Sequence, residues 1–107
     1  MVEITYHRKY NRLTATGHAY SGEEGHDLVC AAVSALMLTM AGNVSALSRQ
    51  RSVREPIISL GKGDAEVSCK PIRKMGNVVT LMFDTVCAGF QLLADQYPEY
   101  ISYKVMQ

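Results

Sequence analysis

Asp27-Leu28-Val29-Cys30-Ala31-Ala32-Val33-Ser34-Ala35-Leu36-Met37-Leu38-Thr39-Met40 opens a run that reaches Ser48 with no charged side chain after Asp27. Val29, Val33, Leu36, Met40, Val44 and Leu47 recur at spacings of three and four, the stripe of a helix facing a core. The other side carries Ala31, Ala35, Leu38 and Gly42, which are also apolar. A helix apolar on two sides is buried on two sides, within its domain or against a second chain. Asp27 stands where an N-cap is expected. No membrane span is expected, because Gly42, Asn43, Ser45 and Ser48 break the apolar run short of about 20 residues.

Upstream of this helix, Val2, Ile4 and Tyr6 alternate with Glu3, Thr5 and His7, the pattern of a half-buried strand. Tyr10-Asn11-Arg12 reads as a turn and residues 13–16 as a second strand. Gly17 to His26 is glycine-rich and reads as a loop. Downstream, residues 57–60 and 65–70 read as strands joined by the hairpin signal Gly61-Lys62-Gly63-Asp64. A second helix is predicted from a cap at Asn77 to about Tyr97, stopped by Pro98. Its inward stripe reads as Val78, Met82, Val86, Gly89 and Leu93, with Thr80, Asp84, Gln91 and Asp95 on a polar stripe. Residues 100–106 read as a last strand. The order ββαββαβ predicts one α+β domain over residues 1–107, with two long helices packed on a mixed sheet of about five strands.

With 107 residues, 48% hydrophobic and 20% charged, the chain has the composition of an ordinary globular core. Lys and Arg total 11 against 10 acids, a net charge of +1, so no direct nucleic-acid contact is expected. The absence of Trp and the presence of only 2 Phe give no aromatic face for single strands. The charge is uneven, however. Residues 49–74 hold seven bases and three acids, a candidate contact for an anionic partner or simply a solvated loop and hairpin. Cys30, Cys69 and Cys87 make an odd count without CxxC spacing, and the N-terminus lacks the apolar run of a signal peptide. Both features point to thiols in a reducing cytoplasm.

The residues with chemistry to offer lie around the helix start. Capped by Asp27, the helix would carry Cys30 at its third position, near N–H groups without intrahelical partners and at the positive end of the dipole. A thiol there is inclined to ionise. His18 closes the second strand, and a strand end and a helix start can meet across the intervening loop. Ser34 lies one turn beyond Cys30, on the same face. Spacing alone leaves other readings open. Cys30 among Ala and Val also suits a small packed hydrophobe, and His18 a surface residue. His18, His26 and Cys30 suit a zinc ion, although His26 precedes the cap and helical spacing need not hold there. Asp27 reads equally as a cap and as an acid in the site. Cys69 and Cys87 sit inside elements and read as structural.

Gly17-His18-Ala19, followed by Gly25-His26-Asp27-Leu28-Val29-Cys30-Ala31-Ala32-Val33-Ser34-Ala35-Leu36, resembles the signature of the ribosomal-processing cysteine protease Prp family. The similarity runs through nearly the whole chain. It implies a small homodimeric bacterial protease, working in the cytoplasm without cofactor or metal. Its substrate would be an N-terminal extension of a large-subunit ribosomal protein, cut after an aromatic residue. By position the resemblance makes Cys30 the nucleophile and His18 the general base and acid, with Gly17, Asp27 and Ser34 in support. His26 fills a variable position and takes no catalytic role. The loop holding Ala19, Tyr20, Gly22, Gly25 and His26 has few apolar anchors and is expected to gate the site. Two other outcomes fit the same chain: a non-enzymatic ribosome-associated protein, and a phage-encoded relative that trims a capsid or scaffold protein.

Overall fold

A computed structural model describes residues 1–17, 26–61 and 63–107, with only the backbone at His26 and Asp27. In chain order it has β1 (Val2–His7), a 3-10 turn (Arg8–Tyr10), β2 (Arg12–Thr16), α1 (His26–Arg49), β3 (Val53–Gly61), β4 (Asp64–Pro71), α2 (Gly76–Gln96) and β5 (Ile101–Met106). This is the ββαββαβ order read from the sequence. The strands form one sheet, β3-β4-β2-β1-β5. All neighbours are antiparallel except β1 and β5, which run parallel with Val2 beside Ile101.

The topology gives the molecule two distinct ends. One gathers the start of β1, the end of β2, the β3–β4 hairpin and the start of β5; α1 begins and α2 finishes there. The other gathers the β1–β2 turn, the start of β3, the end of β4, the last turn of α1 and the first of α2. Both helices lie on one face of the sheet. Ile4, Tyr6, Leu13, Val67 and Ile101 point from the sheet into the core, meeting Val29, Val33, Met37, Met40 and Val44 of α1.

Helix starts and phases differ from the sequence reading. α1 begins at His26, so Asp27 lies inside the helix and is not its cap. α2 begins at Gly76, with Met75 at the cap position and Asn77 already helical. Its buried residues are Val79, Phe83, Val86, Cys87 and Phe90, while Val78 is exposed. The stripe is thus turned by about one residue, because Phe83 and Phe90, two turns apart, have the most apolar area to bury. On α1, Met37 is buried where Leu36 was expected. Leu36 instead packs toward α2, where a Cβ added to Gly89 would stand 3.1 Å from the Leu36 side chain. β3 is longer than predicted. An irregularity between Arg54 and Ile57, with Glu55 at φ 49°, lets pairing resume across Pro56.

A polar tie fastens β1 to α2. The Tyr6 hydroxyl donates to Asp84 Oδ1 at 2.8 Å, and Arg8 donates through Nε and Nη2 to the two carboxylate oxygens at 3.1 Å each. Tyr6 also stacks on Phe83, with ring centres 6.0 Å apart. The Arg8 guanidinium holds the Asp84 carboxyl below its ordinary range, and burial pushes the Tyr6 phenol up. A depressed carboxylate contributes stability that is lost as pH falls, so this tie weakens below about pH 4. A raised phenol contributes stability that is lost as pH rises, here above about pH 10. Asp84→Ala is expected to cost about 1–3 kcal/mol at neutral pH, by leaving the buried hydroxyl without its acceptor. Urea unfolding of the variant, repeated near pH 3 where the difference should shrink, checks this.

Candidate active site

Cys30 is the fifth residue of α1, two positions deeper than a cap at Asp27 would have put it. In the α-helical pattern its own N–H is spent on the turn before it. The N–H groups without intrahelical partners are those of the first turn. Helical side chains lean toward the helix N-terminus, so the Cys30 sulfur is carried back over that turn. Any such donors at the helix start belong to the residues before Cys30, not to Cys30 itself.

Cys30 is half-buried and faces a groove of about 500 Å³. Cys30, Ser34 and Leu38 stand one turn apart and form one wall. Leu60 and Gly61 of β3, with Gly63 of the hairpin, form the other. Val2, Ala15 and Ala65 line it between them, with Asp64 at the hairpin. Leu60 pairs with Ala65, which places both on the helix-bearing face of the sheet. The groove is open, mostly apolar and large enough for several side chains of an extended peptide. Its small residues leave the strand backbone accessible.

Gly17 lines the groove beside the hairpin wall. Its N–H donates to the Gly63 carbonyl at 3.0 Å, and its φ is 113°. A Cβ at this position would run into the Met1 carbonyl oxygen. Gly17 thus follows β2 between the hairpin and Met1, in a conformation that only glycine adopts without strain.

Of the residues singled out by sequence, the structure brings Cys30, Ser34 and Gly17 to one groove. His18, Ala19, Tyr20, Gly22 and Gly25 lie outside the described residues, as do the side chains of His26 and Asp27. The Cys–His pairing and the gating loop therefore rest on sequence. The hairpin wall and Leu38 went unrecognised as site residues. The Gly-Lys-Gly-Asp turn was visible, but its nearness to Cys30 depends on β4 pairing with β2, a long-range contact without a local signature.

The other two thiols are chemically quiet. Cys69 is buried in β4 and Cys87 in α2, and burial pushes their thiols up to about 11 and about 12. Neither ionises appreciably at neutral pH. Iodoacetamide at pH 8 is expected to label Cys30 at least about tenfold faster than Cys69 or Cys87, read by peptide mapping. Equal labelling of all three in the folded protein would contradict this assignment.

Comparison with known proteins adds three findings. The family model described as cysteine protease Prp matches residues 1–102. The chain is 26% identical over 106 residues to the ribosomal processing cysteine protease Prp of Mycoplasma pneumoniae, covering 97% of this chain and 94% of that one. Its fold is similar to that of the essential ribosomal processing protease Prp from Staphylococcus aureus. In complex with a substrate peptide, that structure gives a TM-score of 0.69 at 27% identity, covering 98% of this chain and 97% of the other. With a covalently linked product peptide it gives 0.68 at 28% identity, with the same coverage.

Proposed function

The chain belongs to the cysteine protease Prp family, and from that premise we propose that it removes an N-terminal extension from a bacterial large-subunit ribosomal protein. The observation that carries this reading is Cys30 on the wall of an open apolar groove of peptide dimensions. The two structures of the Staphylococcus aureus relative, with a substrate peptide and with a covalently linked product peptide, support a peptide substrate and a covalent step.

The chemistry is acyl transfer. His18 takes the Cys30 proton, and the thiolate attacks the scissile carbonyl. First-turn N–H groups of α1 stabilise the oxyanion of the tetrahedral intermediate. As that intermediate collapses, the C–N bond breaks and His18 protonates the departing amine. Water, giving a proton to His18, then hydrolyses the thioester and frees the extension. Ser34, beside Cys30 on the same wall, orients the peptide backbone or the imidazole. Glu3, Asp64, Asp95 and Glu99 belong to this end of the molecule, and their field favours a basic segment such as a ribosomal protein carries.

The active form is a homodimer, working in the reducing cytoplasm that three thiols suit. Val78, Leu81, Thr85, Ala88 and Leu92 recur along the outer side of α2 at spacings of three and four, and all are exposed. Leu28, Ala31, Ala35, Leu38 and Gly42 do the same on α1. These stripes are why both helices are long and apolar enough to pass for membrane spans. A repeated apolar seam of this kind is satisfied by the same seam on a second copy. Leu81→Glu with Leu92→Glu is expected to give a monomer at micromolar concentration in sedimentation, where the unaltered chain is a dimer.

Incubation with large-subunit ribosomal proteins that carry N-terminal extensions tests the activity. Mass spectrometry is expected to show one new N-terminus in one of them. Intact substrates throughout, with Cys30 still reactive to iodoacetamide, would overturn this reading.

A further inference from the structure

The net charge hides where the charges stand. The end opposite the groove collects Arg8 and Lys9 of the β1–β2 turn, Arg12 of β2, Arg49 at the end of α1 and Arg51 after it. It also holds Arg54 of β3, Lys70 of β4, and Arg73 and Lys74 before α2. These are nine of the chain's 11 Lys and Arg residues. Among the described residues, the carboxylates beside them are already engaged. Glu66 meets Arg12 at 3.1 Å, Glu55 meets Lys70 at 3.0 Å and Asp84 meets Arg8 at 3.1 Å. Lys9, Arg49, Arg51, Arg54, Arg73 and Lys74 are exposed, and none forms an ion pair among the described residues. The first turn of α2 has no acidic residue, so its dipole adds to the positive field. Within this surface Tyr10 is 67% exposed, with Lys9 Nζ 5.9 Å from its ring centre.

We propose that this end binds the phosphate backbone of single-stranded RNA, with Tyr10 as a stacking platform. Six cations without a carboxylate partner among the described residues, spread over several elements across the sheet, suit a repeating anionic polymer better than one small anion. The exposed ring among them adds a contact for a base, which a polycarboxylate would not use. The site departs from the expectation of no nucleic-acid contact, which the net charge and the scarcity of Trp and Phe suggested. It is independent of peptide cleavage, because it lies at the far end of the sheet from Cys30. RNA held there leaves the groove open to a protein substrate.

Fluorescence anisotropy with a labelled 15-nucleotide oligouridylate tests this. Binding is expected at 50 mM salt, with a log–log salt slope of about −2 to −4, as for three to six neutralised phosphates. Combining Arg51→Ala, Arg54→Ala, Arg73→Ala and Lys74→Ala should weaken it at least about tenfold and flatten the slope. Tyr10→Ala should weaken it about fivefold or more while leaving binding of oligoglutamate unchanged. Circular dichroism and the rate of Cys30 labelling should be unaltered in both variants, which shows that they fold. No binding at 50 mM salt would overturn the proposal, as would equal binding by the fourfold variant. Tighter binding to oligoglutamate or to phosphatidylglycerol vesicles than to RNA would overturn it in favour of that partner.

Discussion

Cys30→Ser is expected to lower peptide cleavage by about a thousandfold or more, leaving circular dichroism and urea unfolding almost unchanged. The oxygen is nearly isosteric with the sulfur but does not ionise at neutral pH, so the groove keeps its shape and loses its nucleophile. The half-buried position of Cys30 makes the structural cost small. His18→Ala should have a comparable effect. The double variant should be little worse than either single one, because a nucleophile and its base act as a unit. If His18→Ala kept activity and His26→Ala lost it, the base would be His26.

Gly17→Ala should damage both activity and stability, although it adds only a methyl group. The backbone at Gly17 has a φ that L side chains rarely adopt, and the new Cβ meets the Met1 carbonyl. The strain amounts to about 1–3 kcal/mol. Relief requires the chain to shift, which loosens the bond from the Gly17 N–H to Gly63 and moves the residue that follows, His18. A displacement of about 1 Å at a catalytic group costs about a hundredfold in rate. The loss should therefore fall on kcat more than on KM, and should remain after the rate is divided by the folded fraction, which a purely structural defect would not produce. Steady-state kinetics alongside thermal unfolding separates the two effects.

Local signals in the sequence carried much of the architecture. The charge-free run after Asp27 marked a helix, of which one face is buried and the other exposed, and Gly61-Lys62-Gly63-Asp64 marked the hairpin. The phase of α2 was misread because Val78 and Val79 start two competing apolar faces. The choice between them rests on where Phe83 and Phe90 find a core, which is a tertiary question. The extra length of β3 was hidden by Pro56 and by the irregularity that carries pairing past it. In the site, Cys30 and Ser34 were legible because helical spacing places them together. Leu60 and Gly63 were not, because strand order brings them to Cys30. The same nonlocal order sorts the charges to opposite ends, which a net charge of +1 conceals.

Catching the enzyme in mid-reaction tests most directly whether Cys30 is the nucleophile. Acid quenching during turnover of a ribosomal-protein substrate, followed by peptide mapping under mildly acidic conditions, reports which residue carries the acyl group. A thioester on Cys30 is expected, its mass increased by the N-terminal extension of the substrate. An adduct on another residue, or continued cleavage by Cys30→Ser, would contradict it.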